Sequence, residues 1–286
     1  MQKAFILGNP RSGTSLLRIM LNTHSAIAAP PECGFLQWWF NKYGSWNIQN
    51  STNIVDITYF VDDLLTSKKI ESWNLDHNGL INFIANKKPR NYSELVLSIY
   101  EFWAVNNHKE PALIVDKNNY YIHHLKKLEL IWPDAKYIHI IRDGRDIACS
   151  YLDLQKLDSF SPYKPNLSGD IKEIALEWTT NNKNICAFLK KFEPDKSIVI
   201  KYENLIRDTE RVLRQITTFF KLPFSGKMMN YYKYNDEPES TIEWKKKTLR
   251  PPDPGNIGKY INQLTKNDQK IFKSIASEIL QKYGYD

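Results

Sequence analysis

Gly8-Asn9-Pro10-Arg11-Ser12-Gly13 lies between an apolar run at residues 4–7 and a stretch at 14–21 that carries Leu16, Leu17, Met20 and Leu21 at helical spacing. Glycine, proline and small polar residues predict a turn there. A strand that passes through such a turn into a helix aims the unpaired N–H groups of the first helical turn at a ligand. The helix dipole favours an anion at that place. Gly8 and Gly13 allow close approach of the backbone. The spacing Gly8-x4-Gly13 matches the start of the triphosphate-binding loop G-x-x-x-x-G-K-[ST], yet Thr14 stands where that loop has lysine. That lysine serves the β- and γ-phosphates. The strong cation of this loop is instead Arg11, whose planar fork suits a tetrahedral oxyanion. The loop therefore reads as a site for a phosphate-like group other than a magnesium-bound triphosphate.

A second candidate anion site follows the strand expected at 136–141. Arg142 stands at its carboxyl end, and Ser150 lies in the helix that comes next. Ligands of open parallel sheets bind outside such strand ends. Local surface pairing of Arg142-Asp143 and Arg145-Asp146 is the competing reading, since exposed ion pairs are common and weak. Two anion sites on one sheet describe a nucleotide with a 5′ tetrahedral group and a separate 3′-phosphate.

These residues need a scaffold. Strands are expected at 4–7, 26–29, 112–115, 136–141 and 197–201. Helices are expected at 14–21, 55–65, 94–105 with Ser93 as N-cap, 121–132, from about 146 through 151, 171–192, 208–220 and 264–283. This βαβα order with short connections predicts an α/β fold: a P-loop-like parallel sheet of about five strands with helices on both faces. Residues 158–170 read as a mobile loop, and 235–256, with its prolines and Lys245-Lys246-Lys247, as a long surface loop. Trp38, Trp39, Phe40, Tyr43 and Trp46 read as part of a cover over the substrate side. They either stack on an acceptor or simply pack. No repeat or linker divides the chain, so residues 1–286 are expected to form a single domain.

The composition, 42% hydrophobic and 25% charged among 286 residues, is that of an ordinary globular protein. A net charge of +7 suits an anionic ligand; lysine is spread along the chain, so no nucleic-acid surface is indicated. Cys33, Cys149 and Cys186 are widely separated, with no CxxC, which supports neither a zinc site nor a disulfide framework. An early first strand leaves no room for a signal peptide, and no stretch approaches a membrane span. A cytoplasmic enzyme without stable membrane insertion is therefore expected, in preference to a Golgi one.

Three segments together carry a family resemblance. Arg11-Ser12-Gly13-Thr14-Ser15 resembles the 5′-phosphosulfate loop of sulfotransferases that use 3′-phosphoadenosine 5′-phosphosulfate (PAPS). Residues 137–150, YIHIIRDGRDIACS, resemble their 3′-phosphate segment, with the same spacing from Arg142 to Ser150. VIKYENL at 199–205 resembles the strand and turn where the family places a tyrosine near the nucleotide, here Tyr202. The match runs to about residue 223, on the branch of tyrosylprotein sulfotransferases and bacterial relatives.

The resemblance implies in-line attack of a hydroxyl, or as second choice an amine, on sulfur, with no metal. Arg11 would stabilise the leaving phosphate, Lys117 the transferring group, and Glu32 would be the general base. Ser240 and Lys259 resemble, more loosely, a segment that folds over the nucleotide. Where the family often has an arginine four residues after the serine of the 3′ site, this chain has Leu154, so Lys156 or a tail lysine supplies that charge or it is absent. His24, His123 and His124 are the alternative bases; the last two are adjacent in an expected helix and cannot share its face.

Two other functions compete. A P-loop small-molecule kinase needs a lysine at position 14 and a magnesium carboxylate. A catalytically inactive nucleotide-binding interaction protein would not need Arg11, Glu32 and Lys117. The acceptor is left open among hydroxyls of small molecules, glycans, lipids and peptides.

Overall fold

The computed structural model describes residues 1–285. Among them five strands form one parallel sheet: β1 (Gln2–Leu7), β2 (Ile27–Ala28), β3 (Leu113–Lys117), β4 (Lys136–Ile141) and β5 (Ser197–Lys201). Their spatial order is β2-β3-β1-β4-β5. β1 is central, pairing with β3 in the register Ile6↔Lys117 and with β4 in the register Ile6↔Ile138.

Alternation along β1 separates the two layers. Ala4 and Ile6 face one side, with Leu17 and Met20 of α1 (Thr14–Asn22) and with Ile216 and Phe220. Phe5 and Leu7 face an aromatic-rich helical layer. Phe5 stacks on Trp132 at 5.2 Å between ring centroids and meets Tyr121 edge-on at 5.5 Å. A third cluster joins the helices Gly144–Gln155, Ile171–Leu189 and Lys266–Lys282 around Trp178 and Phe272 beyond the end of β4.

The departures from the sequence reading have local causes. The helix expected at 121–132 is broken: a 3-10 turn at Asn119–His123 gives way at His124 to the helix Leu125–Ile131. Asn118 caps that turn by accepting from the Tyr120 N–H at 2.9 Å, and the Tyr121 hydroxyl donates to Asp116. Asn91, not Ser93, caps the helix Tyr92–Asn106; its side chain accepts from the Glu94 N–H at 2.9 Å. β3 extends to Lys117 because its pairing with β1 continues. Tyr202 opens a helix of its own, Tyr202–Arg207, ahead of Thr209–Phe219.

The run 235–256 is no plain surface loop. It is a strap of short helical turns, Glu239–Ile242, Glu243–Leu249 and Pro254–Asn256, that buries Thr241, Trp244, Thr248 and Asn256. The strap is latched to α1 by Arg18. This fully buried guanidinium donates from Nη1 to Asp236 at 2.9 Å, and from Nη2 to Asp236 at 2.8 Å and Glu237 at 2.9 Å.

Candidate active site

The turn after β1 is shaped for close contact. Arg11 has φ 70° and Gly13 φ 95°. A left-handed Arg11 costs about 1–2 kcal/mol, so packing must hold it there. A Cβ on Gly13 would lie 2.5 Å from the Tyr202 ring, and one on Gly8 would lie 2.6 Å from the Ile140 carbonyl oxygen. Both glycines are therefore required by space, and Gly13 by conformation as well. Asn9 braces the turn from below: its amide donates to Tyr151 at 3.0 Å and accepts from Asn181 at 2.7 Å. Gly13 N-caps α1 without a side-chain partner, and the buried Ser12 hydroxyl has none either.

Two guanidinium groups meet above this turn. Arg11 donates from Nε to Ser150 Oγ at 3.0 Å and from Nη2 to the Trp244 carbonyl at 3.0 Å. Arg142 donates to the Arg11 carbonyl at 3.2 Å and to the Asn256 carbonyl at 2.7 Å, lies 4.4 Å from the Tyr202 ring centroid, and keeps a buried Nε without a partner. Burial, together with the neighbouring charge of Arg142, pulls Arg11 down to about 10. None of the hydrogen bonds described for these two arginines ends on a carboxylate, which leaves positive charge available to an anion. The local pairing weighed from sequence takes another form. Arg145 pairs with Asp143 at 2.7 Å, while Asp146 accepts from the N–H groups of Gly258 and Tyr260.

These groups line one cleft of about 270 Å³. Of the residues singled out in the sequence, Arg11, Gly13, Thr14 and Ser15 line it from the first turn, and Arg142, Ser150 and Tyr202 from the segments that follow β4 and β5. Glu32 and Lys117 line it as well. Ser12 is buried beneath it. Ser240 is exposed and Lys259 pairs with Asp153 at 3.0 Å; neither lines this cleft. Leu154 is buried and Lys156 is exposed, whereas Lys247 and Arg250 line the cleft. His24 is engaged on both nitrogens, by the Pro223 carbonyl and the Ala26 N–H, and His24, His123 and His124 all lie off the cleft. The aromatic residues at 38–46 lie off it too. Phe60 packs on Tyr43 and Trp46 at 5.0 and 5.7 Å between ring centroids, and Trp46 is buried.

Glu32 is held by two ammonium groups. Lys117 donates to Oε2, and Lys69 to Oε1 at 2.6 Å. Burial pushes this carboxyl up, but Lys117, Lys69 and Lys245 together outweigh it and hold it well below the usual carboxylate range. Lys117 is 2% exposed, and burial lowers its ammonium against the pull of Glu32. Sequence reasoning missed Lys69. It also missed Asn119, which accepts from Thr14, and Tyr163, which brings the 158–170 connection against the cleft.

The profile of the sulfotransferase family matches residues 3–226. This chain belongs to the sulfotransferase family. Among relatives of this sulfotransferase, protein-tyrosine sulfotransferase A of Caenorhabditis elegans is 22% identical over 290 residues, 99% of this chain and 67% of its own length. The sulfotransferase domain of the curacin biosynthetic pathway superposes with a TM-score of 0.63 at 22% identity, covering 97% of both chains. A mouse sulfotransferase complexed with PAP superposes with a TM-score of 0.51 at 14% identity, over 98% of this chain and 84% of that one. These likenesses give the sulfotransferase the expected fold.

The expectation of a cytoplasmic enzyme is corrected. The relatives that align along 99% of the chain include animal protein-tyrosine sulfotransferases, which removes the ground for preferring a cytoplasmic enzyme, and an early first strand does not decide the compartment. Among the described residues no helix is long and apolar enough to cross a membrane.

Proposed function

We propose that residues 1–286 form one sulfotransferase domain that moves the sulfuryl group of PAPS to a hydroxyl, with Glu32 as general base. The observation that carries this reading is the meeting, in one cleft, of a lysine-paired carboxylate and two arginines whose described hydrogen bonds reach no acid. The residues present fit such a donor. The unpartnered Ser12 hydroxyl and Arg142 Nε are donors without acceptors, and Tyr202 fills the space beside Gly13 that a side chain would otherwise take.

The donor, when bound, supplies an activated sulfuryl group on a phosphate leaving group. Arg11, with Ser12, Gly13, Thr14, Ser15 and the N-terminus of α1, holds the 5′ end. Arg142 and Ser150, with Lys247 and Arg250 in place of the charge missing at Leu154, hold the 3′-phosphate, and Tyr202 packs beside the nucleotide. Ser240, in the strap, and Lys259, just after it, would reach the nucleotide only if both segments moved toward the cleft.

The acceptor oxygen forms its bond to sulfur as the bond from sulfur to the bridging oxygen breaks. Glu32 takes the acceptor proton, Lys117 stabilises the sulfuryl oxygens, and Arg11 stabilises the departing phosphate. Acceptors are hydroxyls of peptides, glycans, lipids or small molecules; a tyrosyl peptide is the first to assay, given the names of the animal relatives.

The test is incubation with PAPS carrying labelled sulfate, scored for label in tyrosyl peptide and in a metabolite mixture, beside ATP and magnesium. Label transfer without magnesium supports the reading. Phosphate transfer from ATP alone would replace it by a kinase, and nucleotide binding with no transfer to any acceptor by an inactive binding protein.

A further inference from the structure

The turn that presents Lys69 is stitched to the segment that presents Glu32, on both sides of their ion pair. Trp73 Nε1 donates to the Pro31 carbonyl at 2.9 Å, and the Cys33 thiol meets the Lys68 carbonyl at 3.4 Å. Ser67, Ile70 and Trp73 are buried around it. Lys69 itself has φ 72°, a conformation lysine rarely adopts. Its ammonium lies 5.9 Å from the Tyr163 ring, and the Tyr163 hydroxyl donates to Glu71 at 2.6 Å. A surface ion pair is not built this way. The backbone on each side fixes one ammonium on one carboxylate oxygen.

We propose that Lys69 is a positioning residue for sulfuryl transfer: it grips Glu32 by Oε1, so that Glu32 stays ionised and in place when Lys117 leaves Oε2 for the transferring group. The inference rests on the reading of Glu32 as the base. It accounts for two lysines on one carboxylate. With a single partner, the departure of Lys117 would leave a buried, unpaired anion that takes up a proton from solvent and then has no place for the proton of the acceptor. Lys69 keeps the carboxylate charged on one oxygen while the other faces the acceptor.

The groups around Glu32 are few and can be named. Lys117 and Asp116 come from β3, Lys69 and Glu71 from the stitched turn, Lys245 and its partner Glu237 from the strap, Tyr121 from the 3-10 turn and Tyr163 from the 158–170 connection. Asp116 is bonded to Tyr121, and Glu237 to Arg18 and Lys245, so neither acid competes for Lys69 by direct contact.

The experiment reads the Glu32 carboxyl itself, by carbon-13 NMR of protein labelled at glutamate side-chain carboxyls, with the signal assigned from Glu32→Gln. Lys117→Met removes the partner that must leave. In that protein Glu32 is expected to remain ionised at neutral pH. Adding Lys69→Met should raise its midpoint by at least about one pH unit, and Lys69→Arg in the same background should bring it back. Superposed titration curves with and without Lys69 would overturn the proposal. Binding of 3′,5′-adenosine bisphosphate, followed by calorimetry, checks that each protein is folded. Should the double variant not fold, Lys69→Met alone against wild type gives the same comparison at the acid end, where a raised midpoint supports the proposal and superposed curves overturn it. Retention of transfer by Glu32→Gln would instead remove Glu32 as the base and leave the titration result standing by itself.

Discussion

Arg11 Nε and Ser150 Oγ lie 3.0 Å apart although 139 positions separate them in the chain. One hydrogen bond thus joins the turn after β1 to the helix after β4, and the proposed 5′ and 3′ anion sites are neighbours through it. Arg11→Ala should lower transfer by at least ~100-fold, the usual cost of losing one charge-stabilising donor. It should also weaken bisphosphate binding. Arg11→Lys should recover only part of this, because an ammonium cannot reproduce the fork. Labelled-sulfate turnover and calorimetry measure both quantities, and near-wild-type turnover in Arg11→Ala would remove it from the reaction.

Glu32→Gln preserves shape and removes the proton acceptor. Transfer should fall by roughly 100-fold to 10,000-fold, the span of general-base contributions, while bisphosphate binding survives. Because three lysines hold this carboxyl low, no acid limb from Glu32 is expected in wild-type activity between pH 5 and 8, approximately the range over which proteins are most stable. A pH–rate profile with an acid limb inside that window that moves in Glu32→Asp would show that the lysines do not hold Glu32 low, and would contradict this expectation.

On the proposed mechanism, Lys117→Ala acts on the transferring group and not on the nucleotide. Turnover should drop by about 100-fold with bisphosphate affinity little changed. An unchanged rate would leave Lys117 with the sole task of pairing Glu32.

Arg18 is a matter of stability. Replacing this fully buried guanidinium by methionine takes the ion-pair partner from Asp236, which keeps the Asn22 amide, and leaves the buried Glu237 with Lys245 as its remaining ion-pair partner. Breaking a buried pair from one side costs about 3–5 kcal/mol. At roughly 2–4 °C per kcal/mol in a chain of this size class, the melting temperature should fall on the order of 10 °C. Differential scanning calorimetry decides; a change within error would mean that the strap is held mainly by its apolar contacts.

His139 makes stability depend on acidity. On β4 it is fully buried, with Nε2 at 3.2 Å from Asn182 Oδ1 and Nδ1 unpartnered, and burial pulls it down to about 4 from an ordinary 6.5. The unfolded chain therefore binds more protons between pH 6.5 and 4. The neutral ring's contribution is complete above the upper value and is lost as pH falls toward the lower one. At 1.36 kcal/mol per pH unit this is at most about 3 kcal/mol. Urea midpoints at pH 7 and pH 4.5 should diverge more for wild type than for His139→Gln; equal divergence would assign the acid sensitivity to the carboxylates.

The parts legible in the sequence were those with a local signature. Apolar tetrads at 4–7 and 112–115 marked β1 and β3, glycine at positions 8 and 13 marked the turn after β1, and Arg142 and Ser150, singled out after the next strand, line the same cleft as that turn. Lys69 had no such signature. Its meeting with Glu32 is made by the return of the helix Ile54–Leu65 and by the Trp73–Pro31 hydrogen bond, neither of which a residue pattern records. The strap misled through its prolines, which argued for exposure. In the fold its carbonyls are wanted by Arg11 and Arg142, and that demand draws Trp244 and Asn256 inward. The helix expected at 121–132 failed because Asn118 and Asp116 recruit the first turn for themselves.

The central place of β1 has a kinetic consequence. Its neighbours on either side, β3 and β4, lie more than a hundred residues downstream in the chain, with Gln2 opposite Leu113 and Ala4 opposite Lys136. Closing such long loops comes before any reward from pairing, so this topology folds slowly. Both edges of the future middle strand stay unpaired meanwhile and need protection from other chains. The anion turn rides on that strand. The ability to bind a nucleotide therefore arrives late and all at once, and refolding followed by bisphosphate binding should lag behind the appearance of helical signal.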